Sequence, residues 1–349
     1  MIYQKEKKMT RTTNSIRFLL LILIGLFFIC CEDSTSAKKN KTAATIVGKH
    51  GQLQIDGAKI IDKNGETVAF HGMSLFWSQW IGKYYNQDCI KWLRDDWKCN
   101  IVRAAMAIEH GGYLENPSLE KSRVCNVIDA CIDLGIYVII DWHDHNAHLH
   151  TEEAKTFFRE MATRYGEYPN IIYEIYNEPE KISWRNEIKP YAEAVIAEIR
   201  AVDQDNIIVV GTPTWSQDVD IATADPIDDA NVAYTAHFYA ATHKQYLRDK
   251  ITTAMQRGYA VFVTEFGVCL HTGDGDIDYQ SAEEWFQYMD THNISWCKWS
   301  IADKNEGDAA LLEGANAKGG WTAQDLRESG QYIRSEIITR NQSAFDALK

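Results

Sequence analysis

Proline is scarce in this sequence, 6 residues of 349, and no GxGxxG or GxxxxGK(S/T) turn occurs in it. A chain that is 11% aromatic, with 11 Trp and so little proline, can bury an ample core, which excludes a disordered chain. Basic residues are outnumbered, 36 Lys and Arg against 49 Asp and Glu, for a net charge of −13. That deficit argues against nucleic acid or an anionic membrane surface as partner. No CxxC pair exists among the six cysteines beyond residue 31 (Cys89, Cys99, Cys125, Cys131, Cys269 and Cys297). Buried free thiols are therefore expected, although an exported protein could pair some of them. The apolar run Phe18–Ile29 is 12 residues long, too short to cross a bilayer.

That run follows five basic residues and one acid, and it ends in Cys30-Cys31-Glu32-Asp33. The layout is that of a signal peptide. A cysteine directly after the run resembles the leader of a bacterial lipoprotein, with Cys31 carrying the lipid anchor; cleavage and release is the plainer alternative. The protein is expected to be exported, anchored at the cell surface or periplasm in the first case and secreted in the second. Residues 31–349 carry 31 basic and 48 acidic residues, or −17, which suits a secreted enzyme acting on a neutral substrate. The expected divisions are a leader at 1–31, a polar tether at 32–45, a catalytic domain at 46–340 and a C-terminal tail at 341–349.

Asn64-Gly65, inside GQLQIDGAKIIDKNGETVAF, marks a tight hairpin turn. From Val68 onward short apolar strands alternate with amphipathic helical stretches. Strands are expected at 68–75, 100–106, 137–143, 171–177, 206–212, 232–239, 260–266 and 294–301. Helices are expected at 121–134, 151–165, 185–201, 243–257 and 280–292. Eight near-continuously apolar strands in strict alternation with helices imply a parallel sheet covered by helices. The fold class is therefore α/β, a single (β/α)8 TIM barrel with a short N-terminal β-hairpin. An open doubly wound sheet is the alternative, disfavoured by the missing phosphate turn.

In such a barrel the chemistry sits at the C-terminal strand ends. Those ends read Arg103, His143, Asn177-Glu178, Trp215, His237 with Tyr239, Glu265, and Trp299. Glu178 and Glu265 follow the fourth and seventh strands, across the mouth from each other. Two facing carboxylates meet the requirement of glycoside hydrolysis: one protonated to donate to the leaving oxygen, the other ionised to attack the anomeric carbon. A separation of about 5–5.5 Å would mean a retaining, covalent mechanism. Glu174 shares a face with Glu178, roughly 13 Å deeper at ~3.3 Å per residue, and reads as an interior charge paired with a base.

The motifs NEP at 177–179 and TEFG at 264–267 resemble the family 5 glycoside hydrolases of clan A. HGMS at 71–74, NIVRAAM at 100–106, VIIDWH at 138–143 and TWSQDV at 214–219 support the resemblance. AHFY at 236–239 and ALLEGANAKGGW at 310–321 point to the bacterial endo-β-1,4-glucanase subfamily. The resemblance implies Glu178 as acid/base and Glu265 as nucleophile, with Asn177 on the sugar 2-hydroxyl. It implies Arg103 and Tyr239 as the groups that hold Glu265 ionised, and His143 and His237 as hydroxyl contacts that tune the acid/base. His71, Trp80, Trp215, Trp299, Lys304 and Glu306 would bind substrate, a β-glucan polysaccharide, the tryptophans by stacking on sugar faces. No cofactor or metal is implied, and a monomer is expected. Phe76 and Trp77 stand where close bacterial relatives often carry His and Gly, which puts the glycone-side contacts in doubt.

Plainer readings exist. Arg103 could be an interior ion pair, Lys304 and Glu306 a solvated loop, and Trp92, Trp97, Trp142 and Trp285 are expected in the core. A metal-dependent barrel hydrolase could use His143, His145, His237 and Asp303. That reading leaves Asn177, Glu178 and Glu265 without a task and places the HxH after the third strand instead of the first. A non-catalytic sugar-binding protein would have lost a rim carboxylate, and both are present. Mannan, xyloglucan or mixed-linkage glucan could replace a cellulose-type chain with the same mechanism.

Overall fold

The computed structural model describes residues 45–349. The leader, Cys31 and the tether through residue 44 lie outside the described residues. Eight parallel strands run at His71–Leu75, Ile101–Ala107, Tyr137–His143, Ile171–Glu174, Ile207–Val210, Val232–Thr235, Val261–Gly267 and Trp296–Ile301. They pair in chain order, and the eighth bonds to both the seventh and the first, which closes the barrel. Every residue of these strands is buried. Helices cover one face and interior side chains the other, hence the near-continuous apolar runs. Phe238–Tyr239 forms a short extra strand along the end of the seventh.

The helices lie close to their expected spans: Pro117–Leu134, Thr151–Tyr165, Lys189–Arg200, Gln245–Gln256 and Tyr279–His292. Local chemistry sets their ends. Pro117 opens the first of these, and Gly135, at φ +65°, closes it in the left-handed conformation. Asp278 accepts from the Ser281 N–H to cap the last. Gln87–Asp95 and Glu328–Asp346 extend the outer ring. Among the described residues no helix is long and apolar enough to cross a membrane.

The N-terminal hairpin pairs Gln54–Asp56 with Lys59–Ile61 and turns at Gly57-Ala58. Asn64-Gly65 makes the following turn, closed by the Gly65 N–H on Asp62 O and an Ile61–Thr67 bridge. This segment covers the N-terminal face of the barrel, where Ile55 N donates to Asn231 Oδ1 and Tyr137 Oη to Gly51 O.

Two expectations are corrected at that same face. Residues 341–346 belong to the last helix, and Asn341 is buried. Its amide donates to the carbonyls of His71 and Lys98 and its Oδ1 faces His71 Nδ1 at 2.8 Å. His71 opens the first strand, so its side chain packs below the barrel against Trp296, away from the mouth. It is a structural residue, not a substrate contact. All six described cysteines are free and buried.

Candidate active site

The fourth strand ends at Glu174, and the next residues pull away from the ladder, with Ile175 N still bonded to Val209 O. Asn177 and Glu178 then stand at the mouth, and Pro179 turns the chain outward. The fifth strand must pass close beneath this turn. A Cβ on Gly211 would lie 2.3 Å from Tyr176 O and 2.8 Å from Pro179 Cδ, so only glycine fits. Thr214, Trp215 and Ser216 follow in three successive left-handed conformations (φ +59°, +54° and +55°), which cost roughly 1–2 kcal/mol each. The bonds Trp215 N to Pro179 O, Ser216 Oγ to Asn177 O and His237 N to Ser216 O hold the strained turn and tie it to the glutamate loop. Trp215 is thereby projected into solvent beside Glu178, with Lys181 over its ring.

Arg103 is the hub. It is fully buried and donates through Nε and Nη2 to both oxygens of Glu174 (2.7 and 3.1 Å). Nη2 also reaches Asn177 Oδ1 at 2.6 Å and Asp141 Oδ2 at 2.9 Å, and Nη1 reaches Glu265 Oε2 at 2.9 Å. One guanidinium cannot neutralise three carboxylates, and Asp141 is the one that burial pushes well above the usual range despite Arg103. Asp141 Oδ2 also takes His143 Nδ1 at 2.7 Å, which fixes that imidazole and leaves Nε2 free. Burial holds His143 neutral.

The two rim glutamates differ in their partners. Both Glu265 oxygens accept, from Arg103 Nη1 and from Tyr239 Oη at 2.9 Å, so the group is held as an anion. Burial and the charge of Glu178 push its pKa up, against the pull of His237, Arg103 and Tyr239. Glu178 faces His237 Nδ1 at 2.9 Å, and its Oε2 lies 3.7 Å from His145. Burial is the strongest single influence and raises Glu178, but the bond to His237, together with the charges of His237, His145 and Arg103, lowers the carboxyl overall. His237 is drawn down by burial and lifted by its carboxylate neighbours to about 9. In the open cleft the proton of this pair therefore rests on the imidazole. Oxygens of Glu178 and Glu265 and a nitrogen of His237 all lie within 4.8 Å of one another. That spacing would suit a cation, but the Arg103 guanidinium beside it, and the bonds already made by His237 and Glu265, leave the cluster poorly fitted to hold one.

Tyr239 is steadied by His243, whose Nδ1 accepts the Tyr239 N–H at 2.8 Å. A cavity of about 500 Å³ opens here, lined by His145, Glu178, Trp215, His237, Tyr239 and His243 among others. Across the mouth lies an aromatic cluster. Trp299 stacks on His143 (5.0 Å, 10°) and packs on Phe76 at 5.1 Å, while Trp77 meets His143 edge-on at 4.1 Å and Trp80 at 5.3 Å. Trp80 is 58% exposed and Trp299 only 5%. Lys304 sits over Phe76 and pairs with the nearly buried Glu306.

Asp303 does not join the histidines: it is held by Lys83 at 2.5 Å and by the Gly314 N–H. The metal reading thus loses its fourth ligand. Asp141, Glu174 and Thr264 are the site residues that sequence reasoning left out or set too deep. Glu174 shares Arg103 with Asn177 and Glu265, directly beneath the carboxylates. Asp141 stands two residues before His143 on the same strand face, a period-two signal that was there to find.

The glycosyl hydrolase family 5 cellulase model matches residues 61–305. An endoglucanase of Clostridium saccharobutylicum is 44% identical over 340 residues, covering 96% of this chain and 75% of the relative. Endoglucanase A of Evansella cellulosilytica is 47% identical over 323 residues, covering 91% and 65%. A solved structure from Cytophaga hutchinsonii superposes with a TM-score of 0.86 at 51% identity, covering 87% of this chain and 99% of that one. The catalytic domain of a Thermobifida fusca endoglucanase gives 0.81 at 36%, covering 84% and 99%; a variant of it was solved with cellotetraose. The matched stretch runs from the end of the hairpin to beyond the eighth strand and takes in both rim glutamates, and on that ground the chain belongs to the cellulases of glycosyl hydrolase family 5.

Proposed function

We propose that the protein is a retaining endo-β-1,4-glucanase that cuts internal bonds of cellulose-type chains. The observation that carries this reading is a pair of carboxylates with oxygens within 4.8 Å of each other, one clamped as an anion and the other coupled to an imidazole. Oxygens this close are consistent with the short carboxylate spacing of a retaining enzyme, in which one group attacks the sugar directly. Glu265 attacks the anomeric carbon while Glu178 protonates the departing oxygen. Glu178 then takes a proton from the water that releases the sugar.

Asn177 spends its Oδ1 on Arg103, so its amide N–H is turned to donate to the sugar 2-hydroxyl. His143, with Nδ1 on Asp141, presents Nε2 as an acceptor for a second hydroxyl. Trp80 and Trp215 are the exposed stacking platforms on either side of the carboxylates. Trp299 and the Lys304–Glu306 pair would border the glycone side. The names of the relatives and the cellotetraose bound to one of them support a β-1,4-glucan as substrate. The sequence of residues 1–31 supports export with attachment through Cys31.

Reducing-sugar release from carboxymethyl-cellulose, barley β-glucan and mannan, by wild type and Glu265→Gln, tests the reading. Glucan cleavage that vanishes in the variant supports both nucleophile and substrate class. Wild-type rates in Glu265→Gln would overturn the assignment, and cleavage of mannan alone would leave the mechanism standing and change the substrate.

A further inference from the structure

We propose that Thr264 is a positioning residue that fixes the tautomer of His237, so that a single proton shared between His237 and Glu178 is the one given to the leaving group and recovered from water. The proposal rests on the hydrolase reading above and says how its acid is supplied.

Thr264 and Glu265 are adjacent, yet both side chains enter the site. The seventh strand gains a residue against the eighth between Val263 and Phe266, and this irregularity turns two consecutive side chains the same way. Thr264 Oγ1 meets Glu174 Oε1 at 2.6 Å, Thr235 Oγ1 at 2.6 Å and His237 Nε2 at 2.9 Å. A hydroxyl has one proton and two lone pairs. Glu174, gripped by Nε and Nη2 of Arg103, is an anion that only accepts, so it takes the Thr264 proton. Thr235 and His237 must then both donate, and Nε2 carries its hydrogen in either charge state of the ring. Nε2 stands 3.8 Å from Glu174 Oε1, beyond hydrogen-bond reach, so the hydroxyl is what connects them.

One proton is left for Nδ1 and Glu178 Oε1, 2.9 Å apart. In the first step the bond from Glu265 to the anomeric carbon forms and the bond to the leaving oxygen breaks. That oxygen keeps the electron pair and takes the shared proton through Glu178. The Glu178 anion now faces the bare lone pair of Nδ1. Two acceptors at that distance repel, which raises the basicity of Glu178 just when it must accept a proton from the attacking water. That transfer restores the shared proton and frees Glu265. Without the Thr264 hydroxyl the imidazole could keep its hydrogen on Nδ1 alone and hold Glu178 as an anion, a poor acid.

Titratable and charged groups face this pair from Arg103, from His143 and His145, from Glu174, from Tyr239 and His243, and from Glu265. Among the described residues the bond to Nε2 comes from Thr264.

The test compares aryl β-cellobiosides. Thr264→Val should lose about 30-fold in kcat/KM on phenyl β-cellobioside, whose departure needs an acid. On 2,4-dinitrophenyl β-cellobioside, whose departure needs none, the loss should stay under about 3-fold. The basic limb of the pH profile should move to lower pH, and Thr264→Ser should restore both. Equal losses on the two aglycones with an unmoved basic limb would overturn the proposal in favour of a packing role. If Thr264→Val does not fold, the ¹⁵N shifts of His237 in the wild type decide: Nε2 should stay protonated from about pH 5 to 10, and a neutral form with hydrogen on Nδ1 alone would overturn it. A wild type that cuts neither aryl cellobioside nor cellotetraose would sink the hydrolase reading instead, and the nitrogen shifts would still judge the tautomer.

Discussion

His71 and His237 are buried at opposite ends of the barrel and are held in opposite charge states. Below, His71 faces the neutral amide of Asn341, and burial draws it down to about 4. Above, His237 lies between Glu178 and the Thr264–Glu174 pair and rises to about 9. Burial penalises charge at both places; the partner decides whether that penalty is offset. The hydrogen bonds around His71 are made with amides and carbonyls that need no ionisation. The upper end concentrates three carboxylates on one guanidinium. One end is built for stability and the other holds groups poised to move a proton.

The sharpest way to break this contrast is at the mouth. Glu265→Gln keeps the shape and removes the charge, and kcat on soluble glucan should fall at least about 10³-fold, a barrier increase of roughly 4 kcal/mol. A smaller loss would mean that the carboxylate is not the attacking group. Arg103→Met should cost about 3–5 kcal/mol of stability, because it leaves Asp141, Glu174 and Glu265 buried without their cation. A thermal scan should show a Tm lower by roughly 10 °C. At the other end, Asn341→Ala strips partners from His71 Nδ1 and from the carbonyls of His71 and Lys98. That should cost about 2–3 kcal/mol in urea unfolding, with kcat/KM unchanged within about 2-fold. If kcat fell as far as stability did, the two ends would not be separable.

The barrel itself was legible in the sequence because eight buried strands leave an unbroken apolar record, and helix 151–165 matches its expected span. The rim was legible because strand ends are where polar residues interrupt that record. Thr264 was not, since alternation assigns consecutive residues to opposite faces and the irregularity between Val263 and Phe266 breaks that rule. Glu174 was set too deep for a related reason: counting 3.3 Å per residue assumes the strand continues, whereas it ends at Glu174 and folds Asn177 back onto the same arginine. His71 failed on direction. A polar residue at the start of a strand belongs to the face away from the mouth, and its partner, Asn341, lies 270 residues away in a segment that read as a tail.

The subtlest expected effect follows from the opposite shifts of the two histidines. His71 titrates near 4 in the folded protein against 6.5 unfolded, so between those values the unfolded chain binds more protons. Its contribution to stability is therefore present above pH 6.5 and lost as pH falls toward 4. His237 is raised from 6.5 to about 9, so the folded protein binds more protons in that window. Its contribution is present below pH 6.5 and lost as pH rises through 9. Unfolding free energy measured by urea at a series of pH values should show this as two limbs. The gap between wild type and His71→Asn should narrow on the acid side, and the gap to His237→Gln on the alkaline side. Each slope is capped at about 1.4 kcal/mol per pH unit, the value for one proton. If both gaps narrowed in the same direction, partner chemistry would not be what separates the ends of the barrel.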